Sequence, residues 1–333
     1  MVIDLVSTII RFHDSKRVAQ LDQALFSLSL QTHSQVQIIL VTQNATPSTL
    51  ESLHELLKKH VFSDSNHKIL NITVPENKDA RSDLLNEGIS AADGQYLAFL
   101  DYDDVIYQIN YQTLIDRLKL SGAPVAVGGC RIGFERRVTD DAGKETLYIE
   151  SKRNYLFETK NKLDLFYENF IPIHSYLIDR KRVDPSVLHF NSNLIYFEDY
   201  EFLLRLGSRY EFDFAALSTP LVEYRIRNDN TNSIPAGGAD ASKRELWEHS
   251  KGIVDSLKQN LVVQARALEI AELVRERDQL REERKAISFR IAAKWIAWSN
   301  QYPKLKAMSL RLLKPTAKFA VKVKRKLTQI FRR

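Results

Sequence analysis

Cysteine is almost missing from this chain. Cys130 is the only one in 333 residues, which excludes an internal disulfide framework and a cysteine-ligated metal site and predicts a reducing, cytoplasmic setting. Long hydrophobic runs are missing too, since no window approaches the roughly 18–20 apolar residues of a membrane-spanning helix. Met1 to Asp4 lead straight into a strand-like run without the basic and apolar regions of a signal peptide, so none is expected. A phosphate loop of the Gly-x-x-x-x-Gly-Lys type, a His-x-x-x-His zinc spacing and a Ser-His-Asp arrangement are all absent, which argues against P-loop kinases, zinc hydrolases and serine hydrolases. The last absence is local. From Arg284 to Arg333 there are 15 of the chain's 48 Lys and Arg but none of its 42 Asp and Glu. The net charge of +6 therefore hides a body of about −9 and a tail of +15. With the basic charge confined to an appendage, nucleic acid is not an expected partner.

What is present is organised around residues 94–104. Tyr96-Leu97-Ala98-Phe99-Leu100 is an apolar run that ends abruptly in Asp101-Tyr102-Asp103-Asp104. A short apolar run between turn residues predicts a strand buried on both faces. In an open α/β sheet, ligands bind beyond the carboxyl ends of the strands, so these three carboxylates stand where a substrate would sit. Packed carboxylates repel one another, and a divalent cation relieves that cost. The plain alternative is an acidic turn that caps the next helix.

The order of elements predicts the fold class. Strands are expected at 6–10, 36–41, 69–74 and 96–100, with helices over 18–30, from Ser48 as N-cap with Glu51 completing a capping box, and over 81–92. Strands alternating with helices in this way imply a mostly parallel α/β sheet with helices on both faces. Beyond it the pattern is mixed: a helix over 110–120, a strand over 125–130, a hairpin over 131–149 turning at Asp140 to Gly143, a helix over 163–170, strands at 173–178, 212–217 and 221–225, and a helix starting near Glu198. The polar segment from Asn228 to Ser233, followed by Pro235-Ala236-Gly237-Gly238, marks the end of the globular body. The expected organisation is a domain over 1–238, a charged helical segment over 239–286 and a basic amphipathic tail over 287–333. Val263, Ile270, Leu273, Leu280 and Ile287 fall at heptad-like positions interrupted by arginines. That helix is read either as a short coiled coil, giving a homodimer, or as a single helix lying against the body.

Taken together, Val6-Ser7-Thr8-Ile9-Ile10, Asp79-Ala80-Arg81, the run into Asp101-Tyr102-Asp103-Asp104 and the late Glu198-Asp199 resemble, in this order, the family 2 glycosyltransferases. The resemblance covers about residues 6–233 and implies a GT-A, Rossmann-like fold acting on a nucleotide-sugar donor. It implies Asp101 at the ribose and metal, Asp103 as metal ligand with Asp104 as a second, and Mn²⁺ or Mg²⁺ as cofactor. Thr8, Arg11, Gln43, Asn44, Arg81 and Arg227 are the implied contacts to the nucleotide-sugar, Gln43 and Asn44 standing where many members carry acids and Arg227 where many carry a histidine. Asp199, with Glu198 beside it, is the implied general base of an inverting transfer, and His174 lies on the implied acceptor side. The acceptor would be a glycan or a lipid-linked sugar in surface polysaccharide synthesis. A nucleotidyltransferase and an inactive, glycosyltransferase-like scaffold are the competing readings. The tail mixes its cations with Trp295, Trp298 and other apolar residues, a composition suited to peripheral attachment at the inner face of the cytoplasmic membrane.

Overall fold

The computed structural model describes residues 1–60, 66–75, 78–139, 145–154, 160–227, 241–261, 275–288 and 290. The chain separates into one compact unit over Met1–Gln264 and a second over Ala265–Arg333. In the second unit, residues 275–288 are helical, and the calls made on the remainder of the 287–333 tail lie outside the described residues. Among the described residues no helix is long and apolar enough to cross a membrane.

The first unit begins as the alternation predicts, with β1 (Val2–Phe12), α1 (Val18–Ser29), β2 (Val36–Gln43), α2 (Pro47–Lys59), β3 (His67–Ile72), α3 (Arg81–Ala91) and β4 (Gly94–Asp101). These four strands pair in parallel, in the order β3-β2-β1-β4. Their runs are apolar because both faces are covered: Val6 to Ile10 and Gly94 to Leu100 are buried without a break. The second half adds β5 (Val105–Ile106), α4 (Asn110–Ser121), β6 (Val125–Thr139), β7 (Glu145–Asn154), α5 (Lys162–Leu165), β8 (Tyr176–Asp179), α6 (Glu198–Arg209), β9 (Phe212–Arg227) and α7 (Ala241–Asn260). β8 runs antiparallel to both β4 and β6 and joins the two halves into one nine-stranded sheet.

Several expected boundaries change, each for a physical reason. α2 is capped by Thr46, not Ser48: the Thr46 hydroxyl accepts from the Thr49 N–H, and Pro47 takes the first helical position, where no N–H is needed. The strand expected to stop at 130 continues as β6 into the hairpin arm, because β9 pairs with it from Val125 to Glu135, past the expected end. The two strands expected at 212–217 and 221–225 are one, β9, which absorbs Pro220 through register shifts opposite Gly128 and Gly129. The helix expected over 163–170 is a single turn, and the strand expected from 173 starts at Tyr176. The hairpin turn at 140–143 lies outside the described residues.

The body also runs past the boundary expected at 238. α7 packs on it through Val254, 2% exposed, with Ile253, Leu257 and Leu261 against the core. Of the two readings of the charged segment, a helix against the body describes this part.

An aromatic cluster fixes the site's two halves relative to one another. Phe99 of β4 meets Phe190 and Phe202 edge-on at 5.2 and 5.9 Å, and Phe190 stacks on Phe202 of α6 at 4.4 Å. Phe99 lies two residues before Asp101, and Phe202 one helical turn after Asp199, so this packing sets the distance between those carboxylates. β4 itself is seated by close backbone approach. A Cβ on Gly94 would stand 2.4 Å from the Leu5 carbonyl oxygen and 2.9 Å from the Ser7 nitrogen. Gly94→Ala is expected to destabilise the protein by about 1–3 kcal/mol, read as a lower denaturant midpoint at unchanged slope.

Candidate active site

The carboxyl ends of β1 and β4 bring Arg11 and Asp101 side by side, as paired positions in register. The Arg11 guanidinium grips Asp101 with two hydrogen bonds, Nε to Oδ1 at 2.8 Å and Nη2 to Oδ2 at 3.2 Å. Its third nitrogen donates to Glu198 Oε1 at 2.9 Å, at the start of α6. The trio is largely shut from water, with side-chain exposures of 12, 23 and 6%. Burial alone would lower the Arg11 pKa, but the charges of Asp101 and Glu198 outweigh it and raise the value. Burial likewise opposes ionisation of Asp101, and Arg11 holds its pKa below the usual carboxylate range.

Beside this trio is a pocket of about 330 Å³, within the range of small-ligand sites. Its lining brings the charged Arg11, Arg81, Asp101, Asp104 and Asp199 together with Asn169 to His174 and the rings of Tyr196, Phe197 and Trp247. Asp199 is half-buried, with Oδ1 accepting from the Tyr200 N–H at 2.7 Å. Burial first, then the neighbouring Glu198 charge, pushes its pKa up to about 6. Phe197, immediately before these acids, has φ +64° and ψ 20°, the left-handed region that costs a bulky residue about 1–3 kcal/mol and persists only where the surroundings enforce it.

Asp104 is 2% exposed, accepts from the Arg225 N–H through Oδ1 at 2.7 Å, and holds Oδ2 3.2 Å from His174 Nδ1. Burial and the charges of Asp103 and Asp101 raise its pKa well above the ordinary range. His174 packs face to face with Tyr224, and burial lowers its pKa to about 4, so the ring is neutral at pH 7. The angle to Asp104 is not that of a hydrogen bond, and both ring nitrogens lack a hydrogen-bonding partner among the described residues.

The structure thus gathers Arg11, Arg81, Asp101, Asp104, His174, Glu198 and Asp199 at one pocket, but several individual assignments change. Thr8 is fully buried in β1, with its hydroxyl 2.7 Å from that of Tyr111, and is a core residue, not a nucleotide contact. Asn44 spends its amide on the Val74 backbone, donating to the carbonyl at 2.8 Å and accepting from the N–H at 3.0 Å. It clasps the chain after β3, outside the pocket's lining. Gln43 ends β2 half-buried, away from the pocket's lining. Asp104 is buried at the pocket, held by the Arg225 N–H. Glu198 and Arg11 are held by one another, and His174 lines the pocket beside Asp104. Arg227 pairs through its backbone with Glu135; its side chain lies outside the described residues. Arg81 is bound to Asp79 by three contacts of 2.7–3.0 Å and lies 5.5 Å from the Tyr196 ring centre. The reading of the sequence missed Tyr196 and Trp247. The signal for Trp247 was an apolar stripe at helical spacing, Trp247, Val254, Leu257 and Leu261, within a segment read mainly for its charge.

Residues 7–187 match the model of glycosyl transferase family 2. The chain belongs to that family. This family 2 glycosyltransferase is 27% identical over 246 residues to an uncharacterized glycosyltransferase of Haemophilus influenzae, covering 69% of this chain and 68% of that protein. It is 31% identical over 108 residues to the glycosyltransferase GlyA of Streptococcus pneumoniae, 32% of this chain and 14% of that one. In fold it is similar to crystal structures of S. aureus TarS 1–349, at TM-score 0.54 and 12% identity over 78% of this chain and 67% of that chain. The complex of TarS with UDP-GlcNAc gives TM-score 0.53 and 14% identity over 78% and 70%. The GT-A-like fold and the enzyme class expected from the resemblance both hold, and the nucleotidyltransferase alternative falls away.

Removing Arg11 would leave two buried carboxylates without their counter-charge, which costs about 3–5 kcal/mol. The pH dependence follows from the direction of the Asp101 shift. A depressed folded pKa contributes stability that is present above the unfolded value, near 3.9, and lost as pH falls through the folded one. The stability gap between wild type and Arg11→Leu is therefore expected to be widest at pH 7 and to narrow below about pH 4. Urea unfolding across pH measures it.

Proposed function

We propose that this glycosyltransferase carries out a metal-assisted, inverting transfer from a nucleotide-sugar to a hydroxyl of a glycan or lipid-linked acceptor, in the building of a surface polysaccharide. The observation that carries this reading is Asp199. It is a carboxylate lining the pocket, with a pKa near 6, close enough to working pH to be ionised and basic enough to accept a proton. The acceptor hydroxyl attacks the anomeric carbon from the side opposite the diphosphate, its proton passes to Asp199, and the bond from that carbon to the diphosphate oxygen breaks with its electron pair leaving on the oxygen. Back-side attack inverts the configuration. Arg11 holds Asp101 and Glu198 in place throughout, and Arg81, already anchored by Asp79, presents a cation at the pocket.

The donor set suits a hard divalent cation. Asp101, Asp103 and Asp104 offer only oxygen, and the Asp104 pKa is raised by burial first and then by the charges of Asp103 and Asp101. Among the described residues no three Asp, Glu, His or Cys side chains form a protein-only cage; Mg²⁺ characteristically takes one or two carboxylates and completes its shell with substrate phosphates and water. A diphosphate brought to this acidic cluster without a cation would be repelled. Mn²⁺ or Mg²⁺, held by Asp103 and the edge of Asp101, would supply neutralisation of the charge that develops on the leaving diphosphate. The likeness to a UDP-GlcNAc-bound TarS supports UDP-sugars as the first donors to try.

A panel of nucleotide-sugars with and without Mn²⁺ is the direct test, read by thermal shift and by nucleoside diphosphate release. Asp199→Asn is expected to keep the donor's thermal shift while turnover falls by about 10²–10⁴. Asp103→Asn is expected to lose the metal-dependent part of the shift. Wild-type kcat should fall as pH drops below about 6, where Asp199 gains its proton. Full turnover in both variants would refute the assignment.

Attachment to an anionic membrane surface through residues 287–333 belongs to the same reading, resting on the tail's mix of cations and indoles. Deleting this segment is expected to release the protein from anionic vesicles and spare transfer to a soluble acceptor. Trp295→Ala with Trp298→Ala should weaken attachment even at low salt, whereas a purely electrostatic tail would be indifferent to the indoles and detach steeply with salt.

A further inference from the structure

Helix α7 lies outside the family match, as the Glu198-Asp199 pair itself does, and it touches the chain on both sides of that pair. Ahead of the pair, the Trp247 indole lies 4.3 Å from the Phe197 ring at 55° and 5.3 Å from the Tyr196 ring at 59°. Behind it, Lys258 Nζ stands 4.8 Å from the centre of the Tyr200 ring. The helix is fixed in this position by its own buried face, Ser250 and Val254 being 3% and 2% exposed.

The conformation of Phe197 needs such support. It is a left-handed residue with a bulky side chain, directly before the helix that presents Asp199, and as the N-cap of α6 it offers no side-chain hydrogen bond to the helix. If φ of Phe197 relaxed to the ordinary negative region, the entry of the chain into α6 would turn, and the first-turn carboxylates would turn with it. Phe197 meets the indole through its ring, and that contact is what α7 offers to hold it.

We propose that Trp247 is a positioning residue: by packing on Phe197 it keeps the left-handed turn that aims Asp199 into the pocket and shields it from water, so α7 is part of the catalytic unit. This rests on the reading of Asp199 as the base. The nearer alternative for a half-buried indole in a pocket wall, direct contact with the acceptor, makes a different kinetic signature.

The test uses the full chain with W247A and W247F, and W247L where W247A does not fold. Two readouts are taken: titration of Asp199 by ¹³C-carboxyl NMR, assigned with D199N, and steady-state kinetics with the donor that the nucleotide-sugar panel identifies. The groups facing Asp199 are Glu198 on its own helix, Arg11 on β1, Asp101 on β4, Tyr176 on β8 and Tyr224 on β9, and neither substitution changes them. In W247A the Asp199 titration is expected to move from about 6 toward the ordinary carboxylate range as water reaches it. Turnover is expected to fall roughly 10–100-fold with donor KM held within about twofold, and W247F to restore both readouts. An unshifted Asp199 titration in folded W247A overturns the proposal, as does a rise in acceptor KM at unchanged kcat. Failure of the base assignment itself would show separately, as full turnover in D199N, while the titration still reports whether Trp247 governs the carboxyl.

Discussion

One guanidinium holds this site together. Arg11 reaches Asp101 and Glu198, 90 and 187 residues away in sequence, at 2.8 and 2.9 Å. Two carboxylates from different elements, both largely buried, would repel one another and draw in water; with Arg11 between them each has a charged partner. The consequence is mechanical as well as electrostatic. β1 and β4 are neighbouring parallel strands, so their carboxyl ends are already in register, and the third arm of the same side chain ties the start of α6 to them. The aromatic packing of Phe99, Phe190 and Phe202 fixes the same three-way relation from below.

That neutralisation is partial. Arg11 pairs directly with Asp101 and Glu198 but not with Asp104 or Asp199, whose pKa values are raised by burial first and then by neighbouring carboxylates. Their surroundings separate them: Asp104 is 2% exposed, against the Arg225 N–H and the neutral His174 ring, whereas Asp199 is half-buried at the same pocket. Two carboxyls whose charged forms are both disfavoured therefore suit different tasks, Asp104 bracing the β9 backbone and Asp199, in the proposed reaction, accepting a proton from a ligand.

The parts of the fold that were legible in the sequence were those written in local patterns. The run from Gly94 to Leu100 reads as a doubly covered strand because every residue in it is buried, and its acidic end falls where an open sheet places ligands. Glu198-Asp199 reads as a helix start for the same local reason. What could not be read depends on register and on distant partners. Nothing near Thr8 announces Tyr111, 103 residues on, and nothing near Asn44 shows that its amide is consumed by the Val74 backbone. Pro220 hides the continuity of β9, because a proline normally argues against an interior strand, and only the register shifts against β6 explain how it is tolerated.

The division of labour within the site follows from where its pieces sit. Arg11 and Asp101 stand on adjacent strands whose burial and pairing leave them little freedom. The pair Glu198-Asp199 instead stands at a helix entrance made by a left-handed phenylalanine, a conformation that is not intrinsically preferred and must be imposed. Rigid strands can hold charges with no help from elsewhere in the chain, but an imposed turn needs a neighbour. In this protein the neighbour is a helix beyond the family match, with Trp247 on Phe197 and Lys258 on the Tyr200 ring. The geometry of the proposed base is therefore set by a part of the chain that sequence reading treats as a linker, and a boundary drawn at 238 would part Trp247 from the rest of the pocket's lining.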